Sequence, residues 1–144
     1  MLKLSIVSLL VAGALATGAC SNSADAASTA LVTTPTGPAT VENFSGTVQV
    51  GGSDPHNFTV TLDSQTLTMD LTSAGPPATI TMGFGLGSPV GGTCQLLSGG
   101  TTAAPAAATP QLSGTVAAGN YCFMVYDVGN ALGPITYTAV VTHY

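Results

Sequence analysis

From Phe44 onwards, apolar and polar residues alternate along the chain in several short runs. In the run HNFTVTL, Phe58, Val60 and Leu62 fall on one side, and the threonines between them fall on the other. The runs QTLTMDL and ATITMGFGL continue the same pattern. An alternation with period two, in segments rich in Thr and Val, is typical of antiparallel strands with one face in a core and the other in water.

Residues that favour tight turns separate these runs. The segments LDSQ, SAGPP, GSPVGG and SGG are rich in Gly, Pro, Ser and Asp. Further strand-like runs are FSGTVQV, GTCQLL, QLSGTV, NYCFMVYDV and PITYTAVV. We therefore predict an all-β domain over residues 42–144, a two-sheet antiparallel β-sandwich of about eight short strands. Residues 99–110, GGTTAAPAAATP, lack alternation, and we expect a low-complexity surface loop there.

The first residues have the composition of an export signal. Lys3 precedes an apolar run from about Leu4 to Leu15, which is shorter than the ~20 residues that a membrane span requires. We predict a signal peptide over residues 1–19. Residues 20–41 are small and Pro-bearing, with few apolar side chains, so we expect a flexible tether there.

The residues around Cys20 resemble the lipobox of bacterial lipoproteins, in which the cysteine is lipidated. Small residues precede Cys20 and Ser21 follows it, although Thr17 stands where the family prefers leucine. The resemblance implies an extracytoplasmic protein of the cell envelope, an outer-membrane or surface lipoprotein. Ordinary signal cleavage at the ADA motif of residues 24–26 is the alternative, and it implies secretion.

The cysteine count fits this interpretation. The chain has three cysteines, and lipidation of Cys20 would leave Cys94 and Cys122 to form a disulfide in an oxidising compartment. No basic residue lies near Cys122 to lower its thiol pKa, so we do not expect a reactive thiolate. The bond would close a loop of about 28 residues, worth ~3–4 kcal/mol in the chain-entropy model.

The charge composition restricts the partners. Only 5% of the residues are charged, and Lys3 is the single basic one. Nucleic acid is excluded as a partner because binding to phosphates needs Lys and Arg. Anionic membrane surfaces are disfavoured for the same reason, so we expect membrane contact only through a lipid anchor on Cys20.

The order of the strand-like runs resembles the bacterial pre-peptidase C-terminal domain. The resemblance spans residues 45–141, and AAGNYCFMVYD, GPITYTAVV and the entry run SDPHNFTVTL carry it. It implies a jelly-roll-like sandwich with an accessory role such as polymer binding, surface binding or secretion. Members that bind calcium do so through acids; here Asp54 matches the first acid of the entry strand, but His56 replaces the second.

The sequence offers little for metal binding or catalysis. Asp54 and Asn57 are weak calcium candidates, and turn capping by the aspartates is the alternative; we expect no other cofactor. We expect His56 at a strand entry on the surface and His143 in a frayed tail, and neither lies in a nucleophile motif. We therefore predict that the protein is not an enzyme.

Two functions remain as hypotheses. The first is a non-catalytic module that binds a neutral polysaccharide or a protein surface through a Thr-rich sheet face, with Tyr126, Tyr137 and Tyr144 as candidate contact aromatics. Core or edge packing is an equally open alternative for each tyrosine. The second is a self-assembling subunit of a surface filament or layer, because few charged residues protect the strand edges.

Overall fold

A computed structural model describes residues 37–63 and 65–144. The predicted signal peptide, Cys20 and most of the tether lie outside the described residues. Within these residues the chain forms eight strands and no helix, which confirms the predicted all-β fold. No segment of this region has the length and hydrophobicity of a membrane-spanning helix. The strands are β1 (Thr40–Val48), β2 (Ser53–Val60), β3 (Gln65–Gly75), β4 (Met82–Val90), β5 (Thr93–Ala104), β6 (Leu112–Val116), β7 (Gly119–Asp127) and β8 (Ile135–His143).

The strands form two antiparallel sheets of four. Sheet 1 has the order β1-β8-β3-β6 and sheet 2 the order β2-β7-β4-β5. The first strand pairs with the last, the second with the seventh, the third with the sixth and the fourth with the fifth. This wrapping of one long hairpin into two sheets is that of a jelly roll. β1 begins at Thr40, so Thr40 and Val41, which we assigned to the tether, belong to sheet 1.

The core consists of the alternate apolar positions that the sequence pattern singles out. On β3, Leu67, Met69 and Leu71 are buried, whereas the threonines between and beside them face outwards. Phe84 of β4 and Phe123 of β7 are fully buried, with their ring centroids 6.4 Å apart. Each such side chain contributes ~1.5–3 kcal/mol by leaving water. The two sheets are therefore held together mainly by this apolar layer.

Strand β4 differs from the other strands because both of its faces are buried over residues 82–87. The glycines of its sequence GFGLG, residues 83–87, lie on the outer face of sheet 2 and are covered by other groups. A Cβ on Gly83 would overlap the ring of Tyr126, and one on Gly85 would lie 2.5 Å from the carbonyl oxygen of Gly100. Glycine is required here because neighbouring groups occupy the space of a side chain.

A disulfide covers the third glycine of this row. Cys94 of β5 and Cys122 of β7 form the pair that the cysteine count predicts, with Cα atoms 5.8 Å apart. A Cβ on Gly87 would lie 2.7 Å from the Sγ of Cys94 and 2.9 Å from the Sγ of Cys122. Gly87 belongs to β4, which lies between β5 and β7 in the sheet. The bond therefore joins β5 to β7 across the backbone of β4.

The expected loop over residues 99–110 is wrong for its first part, because β5 continues to Ala104. The remainder crosses from sheet 2 to sheet 1 and is held along β3. The N–H of Ala107 donates to the carbonyl oxygen of Leu71 at 2.9 Å, and the side-chain oxygen of Gln111 accepts from the N–H of Leu71 at 2.8 Å. This low-complexity segment thus contains the end of a strand and a hydrogen-bonded connection between the two sheets.

Candidate binding face

The three candidate contact tyrosines lie in three different places. Tyr137 is inside the core and 2% exposed, so it is not available to a ligand. Tyr126 is half-buried on the outer face of sheet 2, where its ring covers Gly83. Tyr144 is half-buried directly after the end of β8. The tyrosines therefore do not form a common aromatic platform.

Tyr137 belongs instead to a polar trio between the sheets. Its hydroxyl donates to Asp54 Oδ2 at 2.9 Å and lies 2.7 Å from His56 Nε2. Burial, followed by the hydrogen bond to Asp54 and the charge of Asp54, raises the pKa of Tyr137 well above its ordinary value. The phenol therefore stays protonated and links β8 of sheet 1 to β2 of sheet 2. His56 is half-buried, 5.0 Å from the ring of Phe44, and is not the surface residue that we expected.

Asp54 and Asn57 are not arranged to share a calcium ion. They are an odd number of positions apart on β2, so the half-buried Asp54 faces the interior and the exposed Asn57 faces outwards. Among residues 37–63 and 65–144, no three His, Cys, Asp or Glu side chains converge on one point. Because calcium takes six to eight oxygen ligands, this pair does not make a site.

The second histidine is also placed differently from its prediction. His143 is the last residue of β8 and is 2% exposed, not part of a frayed tail. Its Nε2 lies 2.9 Å from Glu42 Oε1 on the neighbouring strand β1, and its ring centroid lies 5.4 Å from that of Phe58. His143 thus closes one end of the core.

Two further carboxylates, Asp63 and Asp70, are too far apart to act together. Asp63 lies in the turn before β3, and its Oδ1 accepts a hydrogen bond from the N–H of Ala118 at 2.8 Å. Asp70 lies five positions after Gln65 along β3, which at about 3.3 Å per residue puts it roughly 16 Å from the start of the strand. The two carboxyl groups that catalyse glycoside hydrolysis stand roughly 5–10 Å apart, so Asp63 and Asp70 do not form such a pair.

The outer face of sheet 1 is the most uniform surface of the domain. Its residues are the outward positions of all four strands, and most are threonines. We call it the threonine face; it comprises Val41, Asn43, Ser45 and Thr47 of β1, Thr136, Thr138, Val140 and Thr142 of β8, Thr66, Thr68, Asp70 and Thr72 of β3, and Ser113 and Thr115 of β6.

Strand pairing arranges these side chains in rows across the sheet. Thr142 is the partner of Thr68, which is in turn the partner of Ser113. Next to one another in the sheet, such side chains stand about 4.5–5.5 Å apart, close enough for hydroxyls to bond. The Oγ1 of Thr138 lies 2.7 Å from that of Thr72 and 2.6 Å from the Oγ of Ser73. These bonds hold the hydroxyls in fixed positions.

A shallow depression of about 340 Å³ lies on the threonine face where β1, β8 and β3 meet. Its lining presents hydroxyl groups, an amide and aliphatic carbon, and it contains no charged side chain. The outward residues that line it are Asn43, Ser45, Thr72, Thr138 and Val140.

Asp70 is the single carboxylate of the threonine face, and it is the partner of Val140 in the strand ladder. It is half-buried, and burial raises its pKa above the ordinary value of 3.8. Its Oδ1 has no hydrogen-bond partner among the described residues. The face is thus neutral apart from one poorly solvated carboxylate.

The sequence predicts the threonines of this face but not the depression. Alternation assigns Thr66 and Thr68 to a polar side from local sequence alone. The depression, by contrast, needs Asn43 beside Val140 and Ser45 beside Thr138, and these pairs are distant in the chain. No local signal marks Asn43 or Ser45 as members of the same surface as Thr138.

No model of a known protein family matches this chain, and no curated protein matches it. Among solved structures, it is similar to Aeromonas hydrophila PliG, a periplasmic lysozyme inhibitor of g-type lysozyme. The two are 17% identical, the match covers 72% of this chain and 86% of that chain, and the TM-score is 0.49.

Proposed function

We propose that this protein is a non-catalytic, extracytoplasmic binding module that holds a neutral polysaccharide on its threonine face. The observation that carries the proposal is the uncharged depression on three adjacent strands, which Thr138 of the middle strand β8 lines. Neutral sugars present hydroxyl groups and apolar C–H surfaces. Fixed hydroxyls, an amide and methyl groups offer both kinds of contact, since binding sites combine apolar lining with a few well-placed polar groups.

The charge of the domain supports a neutral ligand over an acidic one. The described residues contain no Lys or Arg, and their carboxylates give them a negative charge. The carboxylates would repel a polyanion, because the described residues offer no Lys or Arg side chain to replace its counterions. A neutral polymer meets no such barrier, and a protein surface is the alternative partner of the same face.

The disulfide supports the extracytoplasmic part of the proposal, because such bonds persist mainly in oxidising compartments. Attachment to a membrane through a lipidated Cys20 stays a prediction. The resemblance to the pre-peptidase C-terminal domain also stays a prediction. An accessory role of that kind would agree with a binding module held near the cell surface.

Affinity electrophoresis in native gels tests the proposal. Residues 37–144, purified with the disulfide intact, are run through gels that contain a neutral polysaccharide, with dextran, starch and mixed-linkage β-glucan as separate probes. Alginate serves as the polyanionic comparison. We expect at least one neutral polymer to retard the protein in proportion to its concentration, and alginate to cause no retardation.

The matched pair Thr138→Lys and Thr59→Lys locates the binding surface. Thr138 lies in the depression, whereas Thr59 is an exposed threonine on the outer side of β2 in the other sheet. Both changes add the same charge to the protein, so the non-specific effect of charge on migration is matched. We expect Thr138→Lys to abolish retardation and Thr59→Lys to leave it unchanged. Equal behaviour of the two variants, or no retardation by any neutral polymer, would overturn the proposal.

A further inference from the structure

A second recess lies on the opposite side of the sandwich from β1, between β5 and β6. Within residues 37–63 and 65–144 the two strands are the last ones in their sheets, so the recess opens between the outer edges of sheet 2 and sheet 1. Its volume is about 210 Å³. Leu67 and Leu86, 2% and 7% exposed, form its floor, and Leu112 and Val116 of β6 line one wall. We call this recess the edge groove.

Strand β5 is distorted where it forms the other wall. Gly85 of β4 is the partner of Thr101, but Gly87 is the partner of Leu96. The ladder therefore skips residues 97–100 of β5, and Gly99 within them has a φ of 77°. All four residues of this bulge line the edge groove.

The edges of β5 and β6 also lack the residues that protect a strand from pairing with another chain. Charged side chains and prolines are the usual protection. The two edge strands on the other side of the sandwich have them, since β1 contains Glu42 and β2 contains Asp54 and Pro55. β5 and β6 contain neither a charged residue nor a proline. The two edges that border the groove thus lack these residues, and because β5 carries the bulge, β6 is the edge that is open to pairing.

The chemistry of the lining selects the occupant. No charged residue lines the edge groove, and each carboxylate of the described residues lies elsewhere. A charged side chain entering the groove would lose hydration without gaining a partner. An aliphatic side chain would instead bury its surface on Leu67 and Leu86, and its extended backbone could pair with the free edge of β6.

We propose that the edge groove binds an extended, uncharged segment of another polypeptide, which adds to β6 as a strand and places an aliphatic side chain on the leucine floor. The edge groove shares Ser113 and Thr115 with the threonine face but no residue with the depression on that face, so the proposal stands whether or not the depression binds a polysaccharide. Backbone pairing supplies affinity in this mode, and the apolar floor supplies the preference for aliphatic over charged side chains.

Titration with a synthetic peptide, followed by amide chemical shifts, tests the proposal. The probe is an N-acetylated, C-amidated peptide of alternating threonine and valine, and its partner peptide has lysine in place of valine. We expect saturable shifts of the amides of residues 113–116 with the valine peptide. We expect an affinity at least about ten-fold lower with the lysine peptide.

The protein offers a matched control for the groove. Leu97 on the rim is 38% exposed, and Leu62, which does not line the groove, is 40% exposed. We expect Leu97→Asp to weaken binding about ten-fold or more and Leu62→Asp to leave it unchanged. Ser98→Lys, an exposed substitution in the same wall, should act like Leu97→Asp if that variant folds poorly.

Three results would overturn the proposal. One is the absence of shifts in residues 113–116 with the valine peptide. Another is equal weakening by Leu97→Asp and Leu62→Asp. The last is a shift of the same amides when the protein alone is diluted, because a second copy of this chain would then be the occupant.

Discussion

At the scale of single residues, one glycine makes the polar link between the sheets possible. Gly46 of β1 lies beside the trio of Asp54, His56 and Tyr137. A Cβ at this position would overlap Asp54 Oδ2 and would lie 3.0 Å from the hydroxyl of Tyr137. The trio forms hydrogen bonds between β2 and β8. Because Asp54 occupies the space where a side chain of residue 46 would lie, these bonds require glycine at this position.

We expect Gly46→Ala to lower the free energy of unfolding by about 1–3 kcal/mol, the usual cost of an added methyl group in a packed site. Urea denaturation measures the change. Gly114→Ala is the control, because a Cβ on Gly114 meets nothing within 4 Å in the same sheet. If both variants lose the same stability, the loss is due to backbone propensity and not to displacement of Asp54.

A second residue-scale prediction concerns Asp70, whose pKa is raised by burial. A carboxyl with a raised folded-state pKa costs stability once it ionises, so the cost is present above the unfolded-state pKa and absent well below it. We therefore expect Asp70→Asn to raise the melting temperature at neutral pH and to have no effect well below pH 3.8, the ordinary value. Melting curves of both proteins across this range measure it, and a gain that persists at low pH would contradict the assignment.

At the scale of elements, the period of the sequence predicts every strand, because alternation is a local property. Each of the eight predicted runs contains or overlaps one of the eight strands. The predictions fail where contacts between residues distant in the chain determine burial or strand formation. The burial of His143 depends on Glu42, 101 positions away, and residues 101–104 become a strand because β4 pairs with them. Neither fact can be predicted from the neighbouring sequence.

The disulfide is the element-scale feature whose contribution can be measured directly. We expect the double variant Cys94→Ser, Cys122→Ser to lose about 3–4 kcal/mol of stability, because the unfolded chain regains the freedom of a loop of 28 residues. Guanidinium denaturation of both proteins, with and without reductant, measures this.

Reductant should destabilise the natural protein and leave the double variant unchanged. A natural protein that is equally stable with and without reductant would contradict a structural role for the bond, provided that thiol titration shows complete reduction.

At the scale of the whole molecule, Asp127 ties together two connections that each pass from one sheet to the other. Its Oδ2 accepts the N–H of Gly51 in the β1–β2 connection at 2.8 Å, and its Oδ1 accepts the N–H groups of Gly129, Asn130 and Ala131 at 2.9–3.1 Å. These bonds, above all that of Gly51, lower the pKa of the carboxyl of Asp127. One end of the sandwich is therefore organised around a single negative charge.

This arrangement predicts how stability depends on pH. A carboxyl with a lowered folded-state pKa stabilises the fold above its unfolded-state value, and this contribution is lost as pH falls through and below 3.8. We expect Asp127→Asn to melt at a lower temperature than the natural protein at neutral pH, with the difference shrinking in acid. A difference that stays constant across the pH range would show that the charge of Asp127 is not what holds the two connections.

The candidate surfaces show where sequence-based prediction of the whole molecule ends. A neutral, Thr-rich sheet face follows from composition and alternation. Composition and alternation could not assign Tyr126 and Tyr137 to the surface or the core, because each lies in an alternating strand. Their positions are decided by contacts with distant residues: Tyr126 covers Gly83, and Tyr137 donates a hydrogen bond to Asp54. The depression and the edge groove depend on strand order, which alternation does not contain.

The glycine row of β4 affects how this protein can change over time or be altered by an engineer. Positions on the outside of a sheet ordinarily accept many side chains, and sequence drift accumulates there. At Gly83, Gly85 and Gly87, even alanine would displace a ring, a backbone or a disulfide. In a library that varies every position, we expect these three to tolerate as little as Phe84 and Leu86 on the other side. A display scaffold based on this domain should therefore place its variable positions on sheet 1.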